Sequence, residues 1–100
     1  MIKLSVAVPH TLPRDEALRQ ARLLLGEVKV RLAGEMSDLR EKWDDNIGIC
    51  AFSVTNFPAL GKLIVKENEV EIDINLPSAA ESNQEKIESA LREVAEALLT

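Results

Sequence analysis

Few residues in this chain are of a type that does chemistry. The single histidine, His10, stands in "VPHTLPRDEA", between Pro9 and Pro13. An imidazole can act as a general base or bind a metal. Either role needs partners. No second histidine exists to complete a metal site, and no serine or cysteine lies close by in sequence to be activated, although Asp15 and Glu16 could polarise the ring. The expectation is that the His10 ring caps backbone groups at a Pro-bounded turn.

Cys50, the only cysteine, sits mid-strand with no basic neighbour in sequence to lower its pKa, so it reads as a small hydrophobe rather than a nucleophile. Asp44 and Asp45 beside Asn46 could hold a cation, but the glycine and terminal glutamate of a calcium loop are missing, and a polar hairpin turn is the reading. Glu71 and Asp73 alternate with apolar residues and read as a solvated strand face. There is no phosphate-cradling glycine loop, no CxxC and no nucleophile elbow. No catalytic residue, cofactor or metal is therefore expected, and the chain reads as a non-enzyme.

The elements that would position these residues follow from hydrophobic periodicity. Residues 2–8 alternate, with Ile2, Leu4, Val6 and Val8 on one face. Pro9 ends that strand. Pro13 suits the first turn of a helix, and Asp15 and Glu16 favour its dipole. Ala17, Ala21, Leu24, Leu25, Val28 and Leu32 form one stripe on a helix over 13–33, with Gly34 as its stop. Four strands are expected next: "LREKWDD", 47–54, 62–66 and 70–77. A helix over 79–99 carries Ile87, Ala90, Leu91, Val94 and Leu98 on one face, and Ser82 with Glu85 has the form of a capping box.

Turn positions predict registers. A two-residue loop at Asp45-Asn46 pairs Trp43 with Gly48, Glu41 with Cys50 and Leu39 with Phe52. The glycine gives the indole room, whereas Glu41 falls on the apolar side near an edge. A loop at Glu67-Asn68 pairs Val65 with Val70 and Leu63 with Ile72 on one face, and Lys66 with Glu69 and Lys62 with Asp73 on the other. The expected architecture over 1–100 is a single α+β domain: strand, helix, four-stranded antiparallel meander, helix, with both helices packed on one face of the sheet.

An apolar surplus remains. Ile47, Ile49 and Ala51 fall on the face away from the helices, and Ile64 joins them. Phe57 and Leu60 are expected in a loop, "TNFPALG". Ile47, Ile49, Ile64, Phe57 and Leu60 are thus the candidate apolar contact surface, for a second copy or another hydrophobic body. Two alternatives stand beside it. A helix gripping a curled sheet can enclose a small-ligand cavity, with His10, Glu41 and Trp43 at its rim. A small acidic α+β chain also fits a chaperone for an exported partner.

Charge narrows the partners. The net charge is -5, with 12 Lys plus Arg spread along the chain. A nucleic-acid binder needs a basic stripe to displace counterions, so nucleic acid is not expected. No apolar run approaches the ~20 residues of a membrane span, and no secretory signal opens the sequence. With one cysteine and so no internal disulfide, a cytoplasmic location without membrane insertion is expected.

The chain also resembles a known family. His10-Thr11-Leu12, Glu16-Ala17, Trp43-Asp44-Asp45, Phe52, Gly61 and Lys86-Ile87-Glu88 occur in the order and spacing of the polyhydroxyalkanoic acid system proteins, encoded in bacterial polyester-granule regions. The likeness spans nearly the whole chain. It differs at "TNFPAL" (55–60), where the family has a Gly-rich turn, and after Trp43, where the family's glycine is absent. The resemblance implies an accessory role in polyhydroxyalkanoate metabolism, with the granule surface, granule proteins or a homodimer mate as partner. It supplies no catalytic residue.

Overall fold

A chain whose apolar residues alternate in its strands and stripe its helices can bury both sets in one layer. The computed structural model of the protein, which describes residues 2–100, does so. The order is β1 (Ile2–Pro9), α1 (Arg14–Arg31), β2 (Met36–Asp44), β3 (Ile47–Val54), β4 (Phe57–Val65), β5 (Glu69–Leu76), a 3-10 turn (Ser78–Asn83) and α2 (Gln84–Leu99). The strands form one antiparallel sheet in the order β1-β5-β4-β3-β2. The meander is as expected, but the sheet has five strands rather than the meander's four, because β1 joins beside β5.

One face of the sheet is buried. Leu4, Val6 and Val8 of β1, Val70, Ile72 and Ile74 of β5, and Leu63 and Val65 of β4 all point into the core. The α1 stripe meets them there, with Ala17, Leu24 and Leu25 closed to solvent, as does the α2 stripe through Ile87, Ala90 and Leu91. The two helices pack on each other and on this same face. In α2 the inward turn is completed by Ala95 and Leu99, while Leu98 is only partly buried.

Registers read from turn positions hold where the turns do. Trp43 pairs with Gly48 and Glu41 with Cys50. Val65 pairs with Val70, Leu63 with Ile72 and Lys62 with Asp73. Leu39 does not pair cleanly with Phe52. The ladder shifts between Ser37 and Arg40, so Asp38 and Leu39 share that position, with Asp38 at φ 55°. The extra residue changes the alternation along β2, so that Met36 on one side and Trp43 on the other both face inward. Without it, one of the two would point to water.

The segment 55–61 is not a loop. Thr55 and Asn56, at φ 47° and 73°, make a two-residue hairpin turn, and β4 begins at Phe57. Both positive φ values match the turn type whose twist suits a tight hairpin. Pro58 is tolerated because its ring nitrogen faces the β5 side. By the register that sets Leu60 opposite Asn75, Pro58 would meet Pro77, and β5 has already ended at Leu76. The capping box does not form either. Neither Pro77 nor Asn83 makes a side-chain cap; the 3-10 turn takes up 78–83, the Ser82 hydroxyl donates to the Asn83 side chain, and α2 starts at Gln84. Gly34, at φ 86°, does end the α1 segment as expected.

Two glycines are holes that the packing needs. A Cβ on Gly48 would come within 2.6 Å of the Trp43 indole, and one on Gly61 within 2.5 Å of Ile74 and 2.6 Å of the Cys50 sulfur. We expect Gly48→Ala to displace the indole and cost about 1–3 kcal/mol. Urea denaturation measures the loss, and a shift in native emission reports the indole directly, because Trp43 is the only tryptophan.

Candidate functional site

The inner face is closed by helices, so the accessible chemistry of the sheet lies on its other side. Four rows of outward residues cross β3 and β4: Ile47 beside Ile64, Ile49 beside Lys62, Ala51 beside Leu60, and Ser53 beside Pro58. Ile49 is 60% exposed and Leu60 58%, while Ile47, Ile64 and Ala51 are partly covered by one another and their neighbours. Among the described residues no helix or loop folds over them. Ala51, being small, leaves an open depression of about 220 Å³ walled by Ile49, Leu60, Arg40 and Lys42.

Charge flanks this apolar strip unequally. On the β2 side the first three rows continue into Asp44, Lys42 and Arg40. On the β5 side they continue into Glu71, Asp73 and Asn75. Several of the acidic groups already have partners. Lys66 pairs with Glu71 at 2.8 Å, which holds the ammonium pKa above its ordinary value, and the Ser5 hydroxyl donates to Asp73 at 2.8 Å. The cationic flank was available in the sequence through the alternation of "LREKWDD", which puts Arg40 and Lys42 opposite to Trp43. The depression was not, because it depends on which residue sits next to Ala51 across the ladder.

Four of the five residues expected to make the contact surface, Ile47, Ile49, Ile64 and Leu60, share this face. Phe57 does not. It pairs with Val54, whose side chain is in the core, so it lies on the helix side of the sheet, 44% exposed at the end the helices do not fully reach. Treating 55–61 as a loop concealed that Phe57 and Leu60, an odd number of positions apart on one strand, must face opposite ways.

The three residues expected at a cavity rim are not brought together. His10 directly follows β1 at one edge of the sheet, whereas Glu41 and Trp43 are on β2 at the other edge. Trp43 lies against Gly48, with the Arg22 guanidinium 5.7 Å from its ring centroid, and its Nε1–H donates to the Glu41 carboxylate at 3.3 Å. That bond settles the conflict of an acid on the inner side: Glu41 is at an exposed edge with a local donor. An apolar void lies elsewhere, between the helices and Phe52, Val54 and Ile74, and amounts to about 10 Å³, close to the least that holds one water. Glu35 stands beside it, held by Lys86 at 2.6 Å and by Asn83 at 3.2 Å.

His10 is nonetheless the one buried polar side chain among the described residues. Its Nδ1 accepts the Leu12 N–H at 3.2 Å, which leaves the proton on Nε2 to donate to the Lys66 carbonyl at 2.9 Å. Its own N–H donates to the Asn68 carbonyl at 2.9 Å. The ring thereby ties the turn into α1 to the β4–β5 hairpin, with both nitrogens occupied. Cys50 is buried, and burial first, then the negative charge of Glu41, pushes its thiol from 9.0 up to about 12. No group of three or more potential metal ligands is found among the described residues, and none of their helices is long and apolar enough to cross a membrane.

Two outcomes follow. His10→Ala should leave the Leu12 donor and Lys66 acceptor unpaired and cost about 1–3 kcal/mol, read by thermal or urea unfolding. For Cys50, the unfolded chain loses its thiol proton from about pH 9 while the folded chain keeps it until about 12, so this residue's contribution to stability falls with rising pH across that window. Cys50→Ala should remove that part of the slope, and iodoacetamide should leave native Cys50 unmodified at neutral pH but label it in urea.

The comparisons with known proteins agree with the motif order read above. The model of the family described as "Putative polyhydroxyalkanoic acid system protein" matches residues 4–99. No curated protein and no solved structure is matched. A match that runs from the second inward residue of β1 to the last residue of α2 takes in every element of the fold, and the chain belongs to the polyhydroxyalkanoic acid system protein family.

Proposed function

We propose that this chain is a non-enzymatic accessory protein of polyhydroxyalkanoate metabolism that works by contact, laying its outer sheet face against the polyester granule in the cytoplasm. The observation that carries the reading is the uncovered apolar strip centred on Ile49 and Leu60. An aliphatic polyester offers methyl and methylene surface together with ester carbonyls that only accept hydrogen bonds. The strip offers the complement: Ile47, Ile49, Leu60 and Ile64 for the hydrocarbon, and Arg40, Lys42 and Lys62 around them as donors. The rest of the surface is acidic, which keeps the unbound chain dispersed. Family membership supports the metabolic context.

Burying a side chain such as leucine is worth about 1.5–3 kcal/mol, and ~1.4 kcal/mol is a tenfold change in affinity. Purified protein sedimented with artificial polyhydroxybutyrate particles should co-pellet, and Ile49→Asp or Leu60→Asp should weaken that at least tenfold while leaving the far-ultraviolet circular dichroism unchanged. A wild-type chain that stays in the supernatant, or folded variants that bind as well as wild type, would contradict the proposal.

A further inference from the structure

We infer that, away from the granule, the outer face is closed by a second copy of this chain, packed face to face about a twofold axis that runs parallel to the strands between β3 and β4. The inference rests on reading that face as the contact surface, and it adds what occupies it in solution.

About that axis the Ile47 and Ala51 rows are self-complementary, and the row between them sets the Lys62 stem over Ile49 of the second copy rather than over another Lys62. A twofold between β3 and β4 exchanges the two strands. It lays Leu60 of the second copy onto Ala51, where the open depression of about 220 Å³ lies, and Ala51 of the second copy under Leu60. A projecting side chain and a hollow on adjacent strands of one row fill each other twice. The same operation sets Ile47 over Ile64 of the second copy, an apolar pair made twice.

Charge follows the same symmetry. The axis carries β2 of one copy over β5 of the other, so Lys42 comes over Asp73, which lies in its own row. Arg40 comes over Asn75, a neutral acceptor. Asp44 comes over Glu71, whose charge the Lys66 ammonium already offsets at 2.8 Å. A twofold across the strands through Ile49 would instead stack Lys42, Lys62 and Asp73 each on its own copy. Like charges in register disfavour that arrangement. Stacked antiparallel sheets that meet at about 10 Å with interdigitated side chains are an ordinary packing mode.

Sedimentation velocity over a concentration series tests this directly. Wild type should run at twice the monomer mass at high concentration. Leu60→Asp, which puts a carboxylate into the hollow, and Ala51→Arg, which fills it, should each raise the dissociation constant more than tenfold with circular dichroism unchanged. Lys42→Asp should weaken the dimer, and adding Asp73→Lys should restore it; a structural defect would not be rescued by reversing the pair. A wild-type chain that is monomeric throughout overturns the inference, as does a dimer untouched by both Leu60→Asp and Ala51→Arg. The same proteins applied to polyhydroxybutyrate particles separate the two proposals. A monomer that binds particles sinks the dimer and leaves the granule reading standing. A dimer that Leu60→Asp dissociates, with no particle binding by either protein, does the reverse.

Discussion

Among the described residues, the sheet is covered by two helices on one face. Helices about 10 Å across laid side by side shield roughly 20 Å, and five strands about 4.8 Å apart span ~19 Å between the outermost two. That layer is matched to one face, and among the described residues both helices lie there. The inner face accordingly takes the uninterrupted aliphatic residues of β1, β4 and β5, and both helical stripes end there. Whatever apolar residues the outer face carries must meet solvent or another body. On β1 and β5 that face is polar or small: Lys3, Ser5, Ala7, Glu71, Asp73. On β3 and β4 it is not. The exposed apolar strip thus lies where the described helices do not reach.

Packing on the covered side is tight enough to explain several residues that would otherwise look incidental. Gly48 makes room for an indole and Gly61 for a thiol and an isoleucine methyl. The extra residue in β2 lets Met36 and Trp43 both turn inward. His10 joins the β1–α1 turn to the β4–β5 hairpin through two backbone partners. The histidine and the cysteine are both taken up by such tasks. Cys50 is held as a neutral thiol by its surroundings, and the imidazole has no free nitrogen. Both side chains therefore act in the packing of the covered face and the turns beside it.

That surface is also not uniform. An apolar strip with cationic residues on one flank and carboxylates on the other has a direction, unlike a merely oily patch. Direction permits specific pairing, because a symmetric mate can align opposite charges only one way. An ester-rich polymer, by contrast, can use the apolar strip and the donors around it in any orientation. The two occupants proposed for the face therefore draw on the same residues by different rules.

The sequence by itself determined the element order, most of the inward stripe of each helix, the turns at Asp45-Asn46 and Glu67-Asn68 with the pairs nearest them, and the structural role of His10. These are local properties: periodicity and turn chemistry act over a few residues. Tertiary structure decided the rest. Pro58 could enter a strand only because β5 stops short of it, and Phe57 and Leu60 were separated onto opposite faces by the same unforeseen strand. The place of β1 beside β5 and the shift in β2 likewise involve neighbours distant in sequence. So does the hollow at Ala51, which exists because of what stands across the ladder, and no spacing along one strand records that.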